Sequence, residues 1–348
     1  MMTDESPVSR RTYLRGIGSA AAAGSAGLTG CSAVLGSSSG LDSLDVAYMP
    51  IYPDMQYFVM EGEGYFDELS VPVNGTQFPD GPSIVQASAK GNFDVMMFGI
   101  VPAMIIMDKG IPSKITAANI EDAMQILATD EFAKLWEQHG ADAFAVFEEE
   151  RGRKFTFGTF PPGSVPDILL RYWLDRELGL DPETDVNVKG LGGATAVQQA
   201  LLAGEVDGTS IMEPVPTIIE SKGAPFQPIA WAGNFMPGQP AAVTLMHDRL
   251  RSDNREIATE FVRQHRRATR LAENDPDAAA AHAASFIDSL GESTARAAMD
   301  SRASAFVTDP HAIEKHATTF SEYAARLGKT DATLSRSEMF DFGVYDSL

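Results

Sequence analysis

The chain has 348 residues, 44% of them hydrophobic, enough for one large domain or for two lobes with cores of their own. Its 48 acidic residues outweigh 27 basic ones, and the formal net charge of −21 repels nucleic acid and anionic membrane surfaces. A single cysteine excludes an internal disulfide and any multi-thiolate metal centre.

Arg outnumbers Lys 18 to 9, and the acid excess is spread along the whole chain. This composition reads as the surface of a halophilic protein, whose carboxylates stay solvated in molar salt. Residues 1–30 read as an export signal. Within it, "SRRTYLR" (9–15) resembles the twin-arginine motif, whose route carries folded cargo. Residues 17–28 are mostly Ala and Gly, too short and too weakly apolar for a bilayer span of ~20 residues, and they suit a signal-peptide core. "LTGC" (28–31) resembles a lipobox, which implies cleavage before Cys31 and a lipid on its thiol. Residues 31–43 are rich in Gly and Ser and read as a flexible tether. The expected place is therefore the outer face of the cytoplasmic membrane, held there by a lipid anchor.

Strand–loop–helix units follow. "LDVAYMP" (44–50) reads as a strand and "DMQYFVMEGEGYF" (54–66) as a helix. Residues 86–112 hold a helix ending at Gly91, a strand over 94–98, a loop with Pro, and a helix ending at Gly110. Residues 120–153 read as helical and amphipathic, with Phe132, Leu135 and Trp136 on one face, and serve as a connector. "KFTFGTF" (154–160) and "SVPDILLRYWLDRELGL" (164–180) restart the pattern. Residues 199–225 then repeat 86–112 without a gap, placing Gln86 on Gln199, Gly91 on Gly204, Asp94 on Asp207, Lys109 on Lys222 and Gly110 on Gly223. Strands over 228–231 and 242–246 cross back, and helices over 254–273, 277–290, 292–306 and 311–327 are expected to pack on the first lobe. Strands alternating with helices imply parallel sheets covered on both faces. The expected architecture is α/β with two similar lobes: lobe I over 44–119 and 232–348, the connector over 120–153, and lobe II over 154–231. A ligand cleft between them would lie at the carboxyl ends of the strands.

From Leu44 onward the chain resembles the solute-binding proteins of ABC importers, in particular the nitrate/sulfonate/taurine/bicarbonate group. The residues that carry the resemblance are "EGEGYFDEL" (61–69), "QASAKGNFDVMMFGIVPA" (86–103), "PGSVPDILLRYWL" (162–174) and "LLAGEVDGTSIMEP" (201–214). It implies a type II periplasmic-binding-protein fold that closes over a small molecule by hinge motion. It also implies delivery to an ABC permease with its ATPase. The chain is expected to act as a monomer.

Strand ends in this topology give six candidate loops. In "IYPDMQ", Tyr52 and Gln56 flank Asp54, which either caps the next helix or faces a ligand amine. Gly99 and Ile100 lie in the second loop. Gly163, Ser164 and Val165 sit at a helix N-terminus suited to a sulfonate, carboxylate or nitrate oxygen, unless Ser164 only caps its own helix. "GLGGAT" (190–195), with Gly192 and Gly193, is an anion-cradling turn or simply a tight one. Glu213 takes the place of Ile100 in the repeat and invites a cationic group, or else a salt bridge between lobes. Trp231 stacks on a ligand or belongs to the core. No Lys, Arg or His falls in these loops, so a zwitterion such as an aminosulfonate is preferred to a bare inorganic anion. A thiamine pyrimidine precursor, another heterocycle, or a ligand-sensing receptor role are the alternatives. Scattered histidines, no GxSxG elbow and no thiol beyond Cys31 leave no enzyme chemistry, cofactor or metal to expect.

Overall fold

The computed structural model describes residues 40–91, 93–288 and 290–348. The signal sequence, Cys31 and the tether up to residue 39 lie outside the described residues. Among those described, no helix is long and apolar enough to cross a membrane.

Eleven strands are described: β1 (Leu44–Tyr48), β2 (Val73–Gln77), β3 (Val95–Gly99), β4 (Ser113–Glu121), β5 (Gln125–Thr129), β6 (Thr156–Thr159), β7 (Asn187–Gly190), β8 (Gly208–Ile211), β9 (Phe226–Trp231), β10 (Pro240–His247) and β11 (Ala305–Phe306). They form two sheets, in the orders β11-β4-β10-β3-β1-β2 and β7-β6-β8-β5-β9. Within each, the strands joined by helical crossovers pair in parallel: β1 with β2 and β3, and β6 with β7 and β8. The strand that arrives from the other lobe runs antiparallel in each sheet, β10 beside β3 and β5 beside β8, and the short edge strand β11 also runs antiparallel to β4.

The repeat holds down to single hydrogen bonds. Gly110 and Gly223 adopt φ of 75° and 61°, the left-handed region that ends a helix. The residue after each donates back to the same place, Ile111 N to Ile106 O at 3.3 Å and Ala224 N to Ile219 O at 3.2 Å. The aspartates of the two copies also match. Asp94 accepts from the Asp45 backbone N–H at 2.9 Å and from the Arg249 guanidinium, and Asp207 accepts from Thr156 N–H at 2.9 Å and from Arg153. Each carboxylate thereby ties the start of its strand to the neighbouring strand and holds an arginine.

The expected helical connector is corrected. Ile120 and Glu121 end β4, and residues 125–129 are β5; helix begins only at Asp130 (Asp130–His139, then Ala143–Arg151). The run from Ala123 to Ala128 is buried throughout, as in a strand covered on both faces, and its Ala, Met and Leu content imitates a helix. The two helices pack Phe132, Phe144 and Phe147 against Phe155, Phe157 and Trp173, forming the core of the second lobe. The helix expected over 292–306 stops at Met299, and its last residues form β11. The C-terminal helices pack on Met55–Gly62 of the first lobe and also reach the second: Glu292–Met299 meets Val215–Ser221, and Glu314–Arg326 meets Val165–Tyr172.

Asp94 is almost fully buried, so removing its carboxylate strands an arginine and a backbone N–H. Asp94→Ala is expected to lower unfolding stability by about 2–4 kcal/mol, read from urea midpoints, whereas replacing an exposed aspartate such as Asp130 changes it by well under 1 kcal/mol.

Candidate functional site

Between the lobes lies a cavity of about 420 Å³, within the range of about 300–1,000 Å³ typical of small-molecule sites. It opens at the carboxyl ends of the parallel strands, where each chain segment turns into a helix. Four helices direct their N-termini at it: Gly81–Ser88, Ile100–Asp108, Val165–Tyr172 and Ala194–Leu202. Each contributes a partial positive charge of about half an electron and N–H groups without an intrahelical acceptor.

Their caps differ. The Asp80 carboxylate accepts from Ser83 N at 2.8 Å and neutralises the first helix end. Ser164 Oγ accepts from Asp167 N at 3.4 Å, and Gly163 N donates to Asp167 Oδ2 at 2.7 Å, so the third end is partly satisfied from within. The other two are capped by Gly99 and Gly193, which offer no side-chain oxygen. A Cβ at Gly192 or Gly193 would meet open space, so the backbone there is directly approachable. The walls are apolar: Met49, Ile51, Met124, Phe160, Met212 and a series of prolines including Pro53, Pro102, Pro161 and Pro166. The charged lining residues are Asp80, Lys109 and Lys329.

Of the residues expected from sequence, Gly99, Gly163, Ser164, Val165, Gly192 and Gly193 line this cavity together. The remainder do not, and each has an internal partner instead. The Tyr52 hydroxyl donates to Ala295 O at 3.4 Å, and its ring packs beside Phe306. Ile100 is wholly buried. Trp231 donates its indole N–H to Asp122 O at 2.7 Å and carries the Arg302 guanidinium over its ring. Glu213, expected to face the cleft, is buried and turned away from it: Gln125 Nε2 donates to it at 3.1 Å, Thr217 N at 3.2 Å and Thr217 Oγ1 at 2.8 Å. Burial raises its pKa, and the hydrogen bonds pull against that rise. A carboxylate hydrogen-bonded in this way is not placed to meet a ligand amine, so Glu213 no longer supports the preference for a zwitterion.

Asp54 neither caps its helix nor faces the cleft. It is part of a buried network in the first lobe. Met49 N donates to Asp54 Oδ2 at 3.2 Å and Asn119 Nδ2 to Oδ1 at 3.0 Å. Asn119 Oδ1 in turn accepts from Thr244 Oγ1 at 2.8 Å and from His265 Nε2 at 3.1 Å, which leaves His265 Nδ1 to accept from Thr308. Gln56 Nε2 donates to Asn119 O at 2.7 Å and Thr269 Oγ1 at 3.1 Å.

Sequence reasoning missed Asp80, Lys109 and Lys329. Lys109 recurs in the repeat as Lys222 and so looks structural. Lys329 lies in a C-terminal turn with no motif around it. The absence of cations from the six loops is true of the loops but not of the cavity. Among the described residues, no group of His, Cys, Asp or Glu is placed to hold a metal ion.

Two lobes with exchanged strands and a cleft at their strand ends define the two-lobed periplasmic-binding-protein fold. Solved structures agree: the chain aligns with the periplasmic aliphatic sulphonate binding protein SsuA of Escherichia coli (TM-score 0.70, 14% identity, 88% of this chain and 100% of that one). It aligns equally with the periplasmic nitrate-binding protein NrtA of Synechocystis (TM-score 0.72, 13% identity, 88% of each chain). A family model matches residues 38–288, and the chain belongs to the NMT1-like family. A curated relative, the nitrate import ATP-binding protein NrtC of Synechocystis, is 24% identical over 178 residues, covering 49% of this chain. The chain spans only 26% and 28% of the lengths of the curated relatives it matches.

Burial pushes the pKa of Asp54 up to about 7 from its ordinary 3.8. The folded state therefore binds this proton more tightly than the unfolded chain, so the contribution to stability is full below the unfolded value and declines as pH rises to about 7. His265 is lowered by burial from 6.5 to about 3, and its contribution is lost in the opposite direction, as pH falls from 6.5 towards 3. Between about pH 4 and pH 7, wild-type stability should fall relative to Asp54→Asn as pH rises, with the difference level above about pH 7. Urea midpoints of the two proteins across that interval check the sign.

Proposed function

We propose that the chain is the extracytoplasmic solute-binding subunit of an ABC importer, and that its cleft captures a small organic anion with an apolar body, of the sulfonate or carboxylate kind. The observation that carries this is the convergence of four helix N-termini on one apolar cavity. Helix ends supply fixed N–H donors for an oxyanion, while prolines, methionines and Phe160 favour a hydrocarbon part over a bare, fully hydrated ion. The likeness to sulphonate- and nitrate-binding proteins, and to the ATP-binding component of a nitrate importer, agrees with binding and delivery and not with catalysis. The finer reading comes from the sequence: twin-arginine export, a lipid on Cys31, a monomer feeding a permease with its ATPase, and an acid-rich surface suited to molar salt.

Thermal shifts of the purified protein in molar KCl test the ligand class, with butanesulfonate, taurine, nitrate, bicarbonate and the neutral butanesulfonamide as the panel. A ligand at about 100 times its Kd adds about 2.7 kcal/mol, a shift of a few degrees. Butanesulfonate is expected to stabilise the protein and butanesulfonamide to leave it unchanged; silence from every anion overturns the proposal. Cys31→Ser is expected to move the protein from the membrane pellet to the medium without altering its melting temperature, as seen by fractionation and blotting.

A further inference from the structure

We propose that Lys329, from the turn after the C-terminal helix Glu314–Arg326, supplies the counter-charge for the ligand's anionic headgroup and makes that turn a part of the binding site. The inference rests on the reading of the cleft as an anion site and deepens it. Lys329 lies outside residues 38–288, the span matched by the family model.

Three observations bring it there. First, Lys329 lines the cavity beside Gly163 and Ser164, at the start of one of the converging helices. Second, its stem lies on Gly163: that glycine has φ +85°, and a Cβ built on it would stand 2.4 Å from Lys329 Cε. A glycine at this point both adopts the left-handed backbone and leaves room for the lysine. Third, the turn is fixed from both sides. Lys329 N donates to Ala324 O at 2.8 Å, and Asp331 N and Ala332 N donate to Asp108 of the first lobe at 2.9 and 3.4 Å. The preceding helix grips the second lobe through Asp175, which accepts from Tyr323 Oη at 2.7 Å and from Arg326 at 2.8 Å.

The Lys329 charge helps to pull the pKa of the neighbouring Asp167 down against the rise that burial causes. Among the described residues, no ion pair engages Lys329. The nearby carboxylate of Asp167 is taken by Gly163 N at 2.7 Å and Arg171 Nε at 3.0 Å. A half-buried cation on a flexible stem, next to helix N–H donors and outside any ion pair among the described residues, is poised for an oxyanion.

Isothermal titration with butanesulfonate, and with butanesulfonamide as the neutral isostere, tests this on the wild type and on Lys329→Met and Lys329→Arg. Methionine keeps the stem on Gly163 and removes the charge. The expected result is a loss of about tenfold or more in butanesulfonate affinity for Lys329→Met and recovery to within about threefold of wild type for Lys329→Arg, with no change in the response to the sulfonamide. Equal butanesulfonate affinity in wild type and Lys329→Met overturns the assignment of Lys329 and leaves the anion site standing. A wild type silent to every anion overturns both. A ligand-free arm reads the contact itself: Gly163→Ala lowers the melting temperature, and less so in a Lys329→Ala background. Strictly additive losses show that the stem does not rest on Gly163 and also overturn the proposal.

Discussion

The structure depends on how the two lobes share strands. Neither sheet is complete without a strand delivered from the other lobe, so the chain must cross twice, from β4 into β5 and from β9 back into β10. Asp122 makes these two crossings one unit. Its Oδ1 accepts from Gly238 N and Gln239 N, both at 2.9 Å, its own N–H donates to Gln239 O at 3.0 Å, and its carbonyl accepts the Trp231 indole at 2.7 Å. Among the described residues it is the non-glycine held at positive φ, 53°. That conformation costs on the order of 1 kcal/mol and is offset by the hydrogen bonds it aligns. With the crossings paired in this way, the carboxyl ends of both parallel sets face one another, and a cleft between them follows from topology.

A net charge of −21 looks ill suited to the anion proposed for the cleft, but the two act over different distances. Net charge sets a long-range field, and in the molar salt proposed for this protein the screening length would shrink to about 3 Å, so that field would not reach an approaching ligand. Helix N–H groups act at contact, in a pocket with apolar walls, where salt screens little. The same separation explains why surface carboxylates accumulate without disturbing the site.

The sequence showed what depends on backbone register and hid what depends on burial. The repeat, its helix-ending glycines and the glycine-bearing loops at 99, 163 and 192–193 lie where their local patterns put them, because left-handed glycines and helix starts are set within a few residues. Tyr52, Asp54, Gln56 and Glu213 lie buried outside the cavity lining for one shared reason. A polar side chain at a strand end can face the cleft or turn inward, and here Asn119, Gln125 and Ala295 O, all remote in sequence, supply inward partners, joined at Glu213 by the neighbouring Thr217. Lys329 was invisible for the converse reason: a lysine in an unremarkable turn gains meaning only when Gly163 lies beneath it. Residues 123–128 resemble a helix in sequence because strand and helix differ little over a short, fully buried run.

The duplication also governs which positions reach the ligand. In the register that sets Gly91 on Gly204, Gly99 falls on Met212 and both line the cavity, while the next residues, Ile100 and Glu213, are both buried away from it. The backbone decides the direction; chemistry then adapts, an apolar side chain in one copy and a hydrogen-bonded carboxylate in the other. Asp80 likewise falls on Gly193, and each precedes a helix that points into the cleft. Here the copies part in function. Asp80 spends its carboxylate on its own helix end and adds negative charge to the first lobe's side, whereas Gly193 leaves its helix end open. With Gly163 and Lys329 on the same side as Gly193, that asymmetry favours the second lobe as the seat of the proposed anionic headgroup and would leave the methionine- and proline-lined remainder for a hydrocarbon part.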